Sequence, residues 1–170
     1  ELLDGLRGVA ALMVIWYHIF EGFATSPMDQ RFNHGYLAVD FFFILSGFVI
    51  GYAYDDRWKT MKTKDFFKRR LIRLHPMVVL GAVLGSITFC IQGCEKWDGS
   101  QVSISMVMLA MLMGIFLIPV APGAGPEVRG NGEMYPLNGP SWSLFFEYIG
   151  NILYALFIRK LSTKALTVLV

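Results

Sequence analysis

Charge is the first thing this sequence is short of. Only 16% of its 170 residues are Asp, Glu, Lys or Arg, against about a quarter in soluble domains, so an ordinary solvated surface cannot be built from it. Cysteine is scarce as well. Cys90 and Cys94, spaced C-x3-C at the end of an apolar run, are too few for a disulfide framework or a structural metal site. We read them as small apolar thiols and expect no metal. No A-x-A cleavage site follows the first apolar run, which argues against a cleavable signal peptide. No internal repeat is visible. The net charge is only +2, and the basic residues gather in short clusters beside apolar runs, which argues against nucleic-acid binding.

What the sequence has in abundance is apolar length. Hydrophobic residues make up 55%, mean hydropathy is +0.50, and the apolar residues come in blocks rather than amphipathic stripes. Five segments stand out, at about 6–23, 36–54, 71–91, 102–119 and 141–158, with a sixth beginning near Leu161. Most approach the roughly 17–25 residues that a spanning helix needs, and the fourth is short. The expected fold class is therefore all-α, a polytopic transmembrane helix bundle of five to six helices forming one domain over 1–170. The lipid bilayer is its first partner. Beginning at Glu1 and ending in an apolar run, the chain reads as a fragment of a longer protein.

Residues 55–70 carry Arg57, Lys59, Lys62, Lys64, Lys68, Arg69 and Arg70. The positive-inside rule makes this loop cytoplasmic, and the interleaved Trp58, Met61, Phe66 and Phe67 suggest that part of it lies as an amphipathic helix on the membrane surface. The loop 25–35 then faces outward. Simple alternation would place Arg159, Lys160 and Lys164 outside, against the same rule. One repair is that 102–119 does not fully cross, or is re-entrant. The Gly- and Pro-rich connection 120–140 reads as an ordered loop or lid.

Polar residues inside apolar runs are where chemistry is sought. Arg7 and His18 are eleven residues apart, nearly three helical turns, so they share a face with a rise of about 16 Å between them. With Arg7 at the membrane surface, His18 falls near mid-bilayer. Asp40 lies within the second run, close in helical phase to the G-x3-G pair Gly47 and Gly51, which suits close helix contact. Its carboxylate either pins helices or orients a histidine or substrate. Glu147, with Asn151 one turn on, marks a polar cavity between helices, and Trp142 reads as an interfacial anchor. Arg69, Arg70 and Arg73 sit at the mouth of the third run, to bind lipid headgroups or the phosphates of a charged cofactor. His75 reads as interfacial, and His34 as a solvated loop residue. A donor with an anionic head and a long neutral arm, such as coenzyme A, fits arginines below and a histidine above.

The segments LDGLRGVAALMVIWYH, VDFFFILSGFVIG, FFKRRLIRLHP and NGPSWSLFFE, in this order and spacing, resemble the acyltransferase family 3 membrane proteins of the O-antigen acetylase type. The resemblance covers essentially all 170 residues. It implies the N-terminal half of a multi-pass enzyme of a bacterial inner membrane. Such an enzyme moves an acyl group, often acetyl, from cytoplasmic acyl-CoA to a hydroxyl of a surface carbohydrate or a small secreted acceptor. By that resemblance His18 is the catalytic residue of an R-x10-H pair with Arg7. Arg70 and Arg73 face the CoA phosphates, and Glu147 is the acid of the W-S-L-x-x-E segment. Ala38 and His75 depart from the family pattern, where Gly and an aromatic are common. His18 would accept the proton of the acceptor hydroxyl or carry the acyl group itself. A proton-coupled transporter using His18, Asp40 and Glu147 is the alternative. A scaffold whose polar residues only pack helices is a third reading.

Overall fold

A computed structural model describes residues 2–21, 23 and 34–169; the outward loop expected at 25–35 lies almost wholly outside them. The described chain is helical: α1 Leu2–Glu21, α2 Leu37–Tyr54, α3 Thr63–Ile91, α4 Ile104–Ile115, α5 Ser141–Leu156 and α6 Thr163–Leu169, with short 3-10 turns at Asp56–Lys59 and Ile158–Lys160. Among the described residues the only β pairing is an isolated bridge, Glu95 to Gln101. Four helices are long and apolar enough to cross a membrane. The chain divides into two compact units, Glu1–Thr60 and Met61–Val170.

The first unit is the α1–α2 pair. Only Ala10, Ala38, Leu45 and Ile50 of the two helices are buried, while Leu12, Ile15, Ile44 and Phe48 are exposed. Helices that are apolar on every face and bare on most of them suit lipid or further helices. Two expectations change here. Asp40 lies in the first turn of α2, not deep in its span, where a carboxylate is favoured by the helix dipole. A methyl at Gly47 would meet nothing within 4 Å, and one at Gly51 only the carboxylate of Asp55, so this glycine pair makes no close helix contact among the described residues.

The second unit is built on α3. This helix begins at Thr63 rather than Leu71, so residues 63–70, expected in a loop with a separate surface helix, are its first two turns. Lys62 caps it in an extended conformation, its carbonyl accepting from the amides of Asp65 and Phe66. Phe66 is fully buried, its ring 5.8 Å from that of Tyr154 on α5. It packs into protein instead of lying on a membrane surface. The helix runs on through Pro76, past the usual stop signal, to Ile91, where Gly93 and Cys94 take positive φ and turn the chain.

α4 is N-capped by Ser103, whose side chain accepts from the amide of Met106. It has 12 residues, about 18 Å of helix against a hydrocarbon core of about 30 Å. It cannot cross alone, and the expected span 102–119 is shortened to this. Its small face meets α3: a methyl added at Gly114 would lie 3.5 Å from the Ala82 side chain, and Phe89, Val107, Ala110, Val128 and Leu137 share one core.

Residues 116–140 are ordered, non-helical chain packed on α3. Leu117 takes positive φ, and its carbonyl accepts from the Tyr135 hydroxyl at 2.9 Å. Buried Glu127 has one carboxylate oxygen that accepts from the amides of Gly130, Asn131 and Gly132 at 2.7, 3.0 and 3.3 Å. The Arg129 guanidinium lies 4.9 Å over the Phe89 ring, while its Nε donates to the Pro136 carbonyl. The chain approaches α3 closely at two glycines. A Cβ at Gly81 would collide with the Asn138 side chain, and one at Gly85 with the Leu137 carbonyl. Gly81-x3-Gly85, rather than Gly47-x3-Gly51, is the small-residue contact face of this fold.

From Asn138 the chain enters α5, antiparallel to α3: Asn138 lies at Gly81, Tyr148 at His75 and Tyr154 at Phe66. Arg159 and Lys160 therefore follow the end of α5 that packs on the basic start of α3. A short α4 thus accompanies two basic clusters at one end of the α3–α5 pair.

Candidate functional site

In the second unit the polar centre is an ion pair. Phe66, Arg70, Val78, Ala82, Ser86 and Phe89 are the buried residues of α3, and Arg70 is the one charge in that stripe. Its guanidinium donates to Glu147 of α5 at 2.6 Å, with the two side chains 4% and 22% exposed. A charge this deeply placed needs its partner, because desolvation otherwise outweighs what it gains. Asn151, one turn along α5, is buried and donates through Nδ2 to the Glu147 carbonyl at 2.7 Å. The two residues that the sequence assigned to different roles, Arg70 to a phosphate and Glu147 to the reaction, thus hold each other. A phosphate reaching Arg70 would compete with that carboxylate. Arg73 and Arg69, one turn apart on α3, are both exposed, leaving their forks for an anion.

In the first unit, Arg7 and His18 lie on α1 as their spacing requires. Arg7 has Asp4 at 3.9 Å, a loose surface pairing. His18 stands in the last turn of the helix, only three residues before its end at Glu21, so it lies near one end of α1 and not at mid-span. Its Nδ1 is 2.8 Å from the Glu21 carboxylate, and the Tyr17 ring stands edge-on at 5.3 Å. A carboxylate at this distance accepts from an Nδ1–H, and in the neutral ring that tautomer leaves Nε2 as the acceptor atom. Glu21 is a residue the sequence reasoning missed; the spacing H-x-x-E on one helix face was its signal. Asp40 is exposed in the first turn of α2. His34, just before α2, is exposed as expected. His75, set aside as interfacial, stands half-buried between α3 and α5 with Tyr148 edge-on at 6.5 Å.

The described residues contain no group of three or more His, Cys, Asp or Glu able to hold a metal ion. What is present is a histidine with a carboxylate on its Nδ1, exposed guanidinium groups, and a half-buried carboxylate held by a buried arginine.

Comparison with known proteins bears on this chemistry. The family described as Acyltransferase domain matches residues 1–170. A protein of Rhizobium radiobacter, called Protein 2 in picA locus, is 36% identical over 180 aligned positions, which cover 99% of this chain and 87% of its own length. A Staphylococcus aureus (strain COL) protein, named provisionally as an O-acetyltransferase, is 39% identical over 95 positions, 53% of this chain and 14% of that protein. Acyltransferase MdmB of Streptomyces mycarofaciens is 29% identical over 179 positions, 96% of this chain and 41% of its own. No solved structure matches the chain.

Proposed function

The chain belongs to the Acyltransferase domain family, and from that premise we propose that it forms part of a membrane O-acyltransferase drawing on cytoplasmic acyl-CoA. The acyl group, acetyl at its smallest, passes to a hydroxyl of a carbohydrate or of another surface or secreted acceptor. The observation that carries this reading is the His18–Glu21 contact on a helix built to span a membrane. With Nδ1 held by the carboxylate, Nε2 takes the proton of the acceptor hydroxyl as its oxygen attacks the thioester carbonyl. The new C–O bond forms, the C–S bond breaks, and the proton held on His18 returns to the leaving thiolate.

Arg73, with Arg69 beside it, offers guanidinium forks to the donor's phosphates. Arg70 serves by fixing Glu147, a positioning role in this reading, and Arg7 and Asp40 complete the polar set on α1 and α2. The bacterial inner membrane is the proposed location, with residues 55–70 and 159–160 facing the cytoplasm. The clustering of those bases at one end of the α3–α5 pair supports that orientation.

The test is complementation with the full-length protein, comparing wild type and His18→Ala at matched membrane abundance, with mass spectrometry of the surface glycans as readout. An O-acyl increment present in wild type and lowered by at least about 10² in the mutant is the expected result. An increment that survives in the mutant removes His18 from the chemistry. An unchanged profile in both strains directs the search to secreted acceptors or to transport.

A further inference from the structure

Cys90 and Cys94 read in sequence as two small apolar thiols, but the fold gives them different surroundings and brings them together. α3 ends in a Schellman turn. With Gly93 at positive φ, the Cys94 amide donates to the Phe89 carbonyl and the Gly93 amide to the Cys90 carbonyl, each at 3.1 Å. The chain doubles back on the last turn of the helix, and Cys94, itself at a φ of 54°, returns beside Cys90. The two thiols are hydrogen bonded to each other. Residues four apart on a helix have Cβ atoms about 5–6 Å apart, and a disulfide needs about 3.5–4.5 Å. That difference is small enough for the last helical turn to absorb.

Cys90 is exposed, whereas Cys94 is buried in the core with Phe89, Val107, Ala110 and Val128, where α3, α4 and the segment 116–140 meet. The Cys94 carbonyl also accepts from the Val102 amide at 2.8 Å, which ties it to the approach to α4. Burial, and then the Cys90 thiol beside it, push the Cys94 thiol up, so the exposed Cys90 reacts first. Along α3, Cys90 lies about 26 Å from Arg73, at the end away from the basic cluster. The orientation proposed above puts that end outside the cytoplasm, in the oxidising surroundings where disulfides form and persist.

We propose that Cys90 and Cys94 close to a disulfide at the outward end of α3, and that this bond locks the seam between α3, α4 and the segment 116–140. The oxidant is the disulfide of a thiol oxidase outside the cytoplasm. The Cys90 thiolate attacks one sulfur of that disulfide, forming a mixed disulfide and releasing the first oxidant thiol. Cys94 then gives up its proton and attacks the Cys90 sulfur, the mixed S–S bond breaks, and the second oxidant thiol leaves. Two cysteine thiols are oxidised, one disulfide is reduced to two thiols, and both protons end on the oxidant's sulfurs. The setting of this bond rests on the orientation proposed above; the closeness of the two thiols does not.

The experiment uses the full-length protein in its native membranes. Cells are quenched in acid and alkylated with N-ethylmaleimide, and the tryptic peptide 74–96, which holds both cysteines, is weighed. The expected peptide is unalkylated and two hydrogens lighter than the dithiol, and after growth with dithiothreitol it takes up two maleimides. In detergent the unfolding midpoint is expected to fall on reduction of the wild type and to ignore reductant in Cys90→Ser, a change at an exposed position. A peptide from untreated cells that carries two maleimides overturns the proposal, and two further measurements say which part failed. Purified protein that gives only mixed disulfides with oxidised glutathione refutes the pair itself. Purified protein that closes, with an impermeant maleimide reaching Cys90 only in opened cells, refutes the outward orientation instead. A bond that forms in cells without moving the midpoint overturns the lock.

Discussion

Arg69, Arg70 and Arg73 follow one another closely in sequence, yet the fold gives them different work. Arg70 joins the buried face with Phe66 and Val78, whereas Arg69 and Arg73 stay outside. Arg70→Ala should therefore cost stability, about 1–3 kcal/mol for a half-buried carboxylate that loses this partner, seen as a lowered unfolding midpoint in detergent. Arg73→Ala should leave that midpoint nearly unchanged and weaken CoA binding, with the loss shrinking as salt is raised; equal affinity at low salt would return Arg73 to lipid anchoring. At the other candidate site, Glu21→Gln should lower kcat more than it changes KM, because it alters the tautomer of His18 and not the grip on substrate. A Glu21→Gln enzyme with wild-type kcat across the pH range would reduce that contact to a surface pairing. The pairings themselves were only half legible. The period of about four in Phe66, Arg70, Val78, Ala82 and Ser86 could have singled out Arg70, but its partner lies 77 residues away, beyond any local pattern. Glu21 escaped notice because an acid at the end of an apolar run reads as the start of solvent.

The helices show which patterns carry over from sequence to structure. Long apolar runs gave α1, α2, α3 and α5 close to where they were expected, because a spanning helix satisfies its own backbone and needs only length. The start of α3 was misplaced because the charged helix before Leu71 was taken as separate from the apolar run that continues it. Spacing alone does not distinguish Gly47-x3-Gly51 from Gly81-x3-Gly85; among the described residues it is the second pair that another segment approaches closely. Gly85→Ala should push the Leu137 carbonyl off α3 and cost about 1–3 kcal/mol, whereas Gly47→Ala should cost nothing and gain from better helix propensity. Thermal unfolding of the two variants side by side separates these outcomes. The segment 116–140 has its own reporter. Burial alone pushes the Tyr135 hydroxyl up to about 12 from the usual value of about 10. A raised value means that its stabilising share is complete below pH about 10 and is lost as pH climbs toward 12. Tyr135→Phe should flatten that alkaline loss in a pH series of unfolding midpoints, while costing about 1 kcal/mol at neutral pH for the bond to Leu117.

For the molecule as a whole, the decisive feature is a helix that stops short. Because α4 ends at the level of Ala82 and the chain re-enters α5 at the level of Gly81, non-helical peptide lies beside the apolar part of α3. Such backbone survives at membrane depth only where protein covers it. This is why Glu127, Arg129 and Tyr135 spend their polar groups on the chain around them. The same feature constrains how the protein is made. A 12-residue helix is too short to hold itself in the bilayer as it leaves the ribosome, so α4 has to wait for α5 and settle with it against an α3 already in place. A nascent chain arrested after Ile115 should leave α4 extractable or displaced, and one extended through Leu156 should bury it; a glycosylation-site scan of the two lengths would tell them apart. Assembly of this chain then proceeds in steps of whole hairpins, and a fault anywhere in 116–140 becomes a fault of insertion before it is ever one of catalysis.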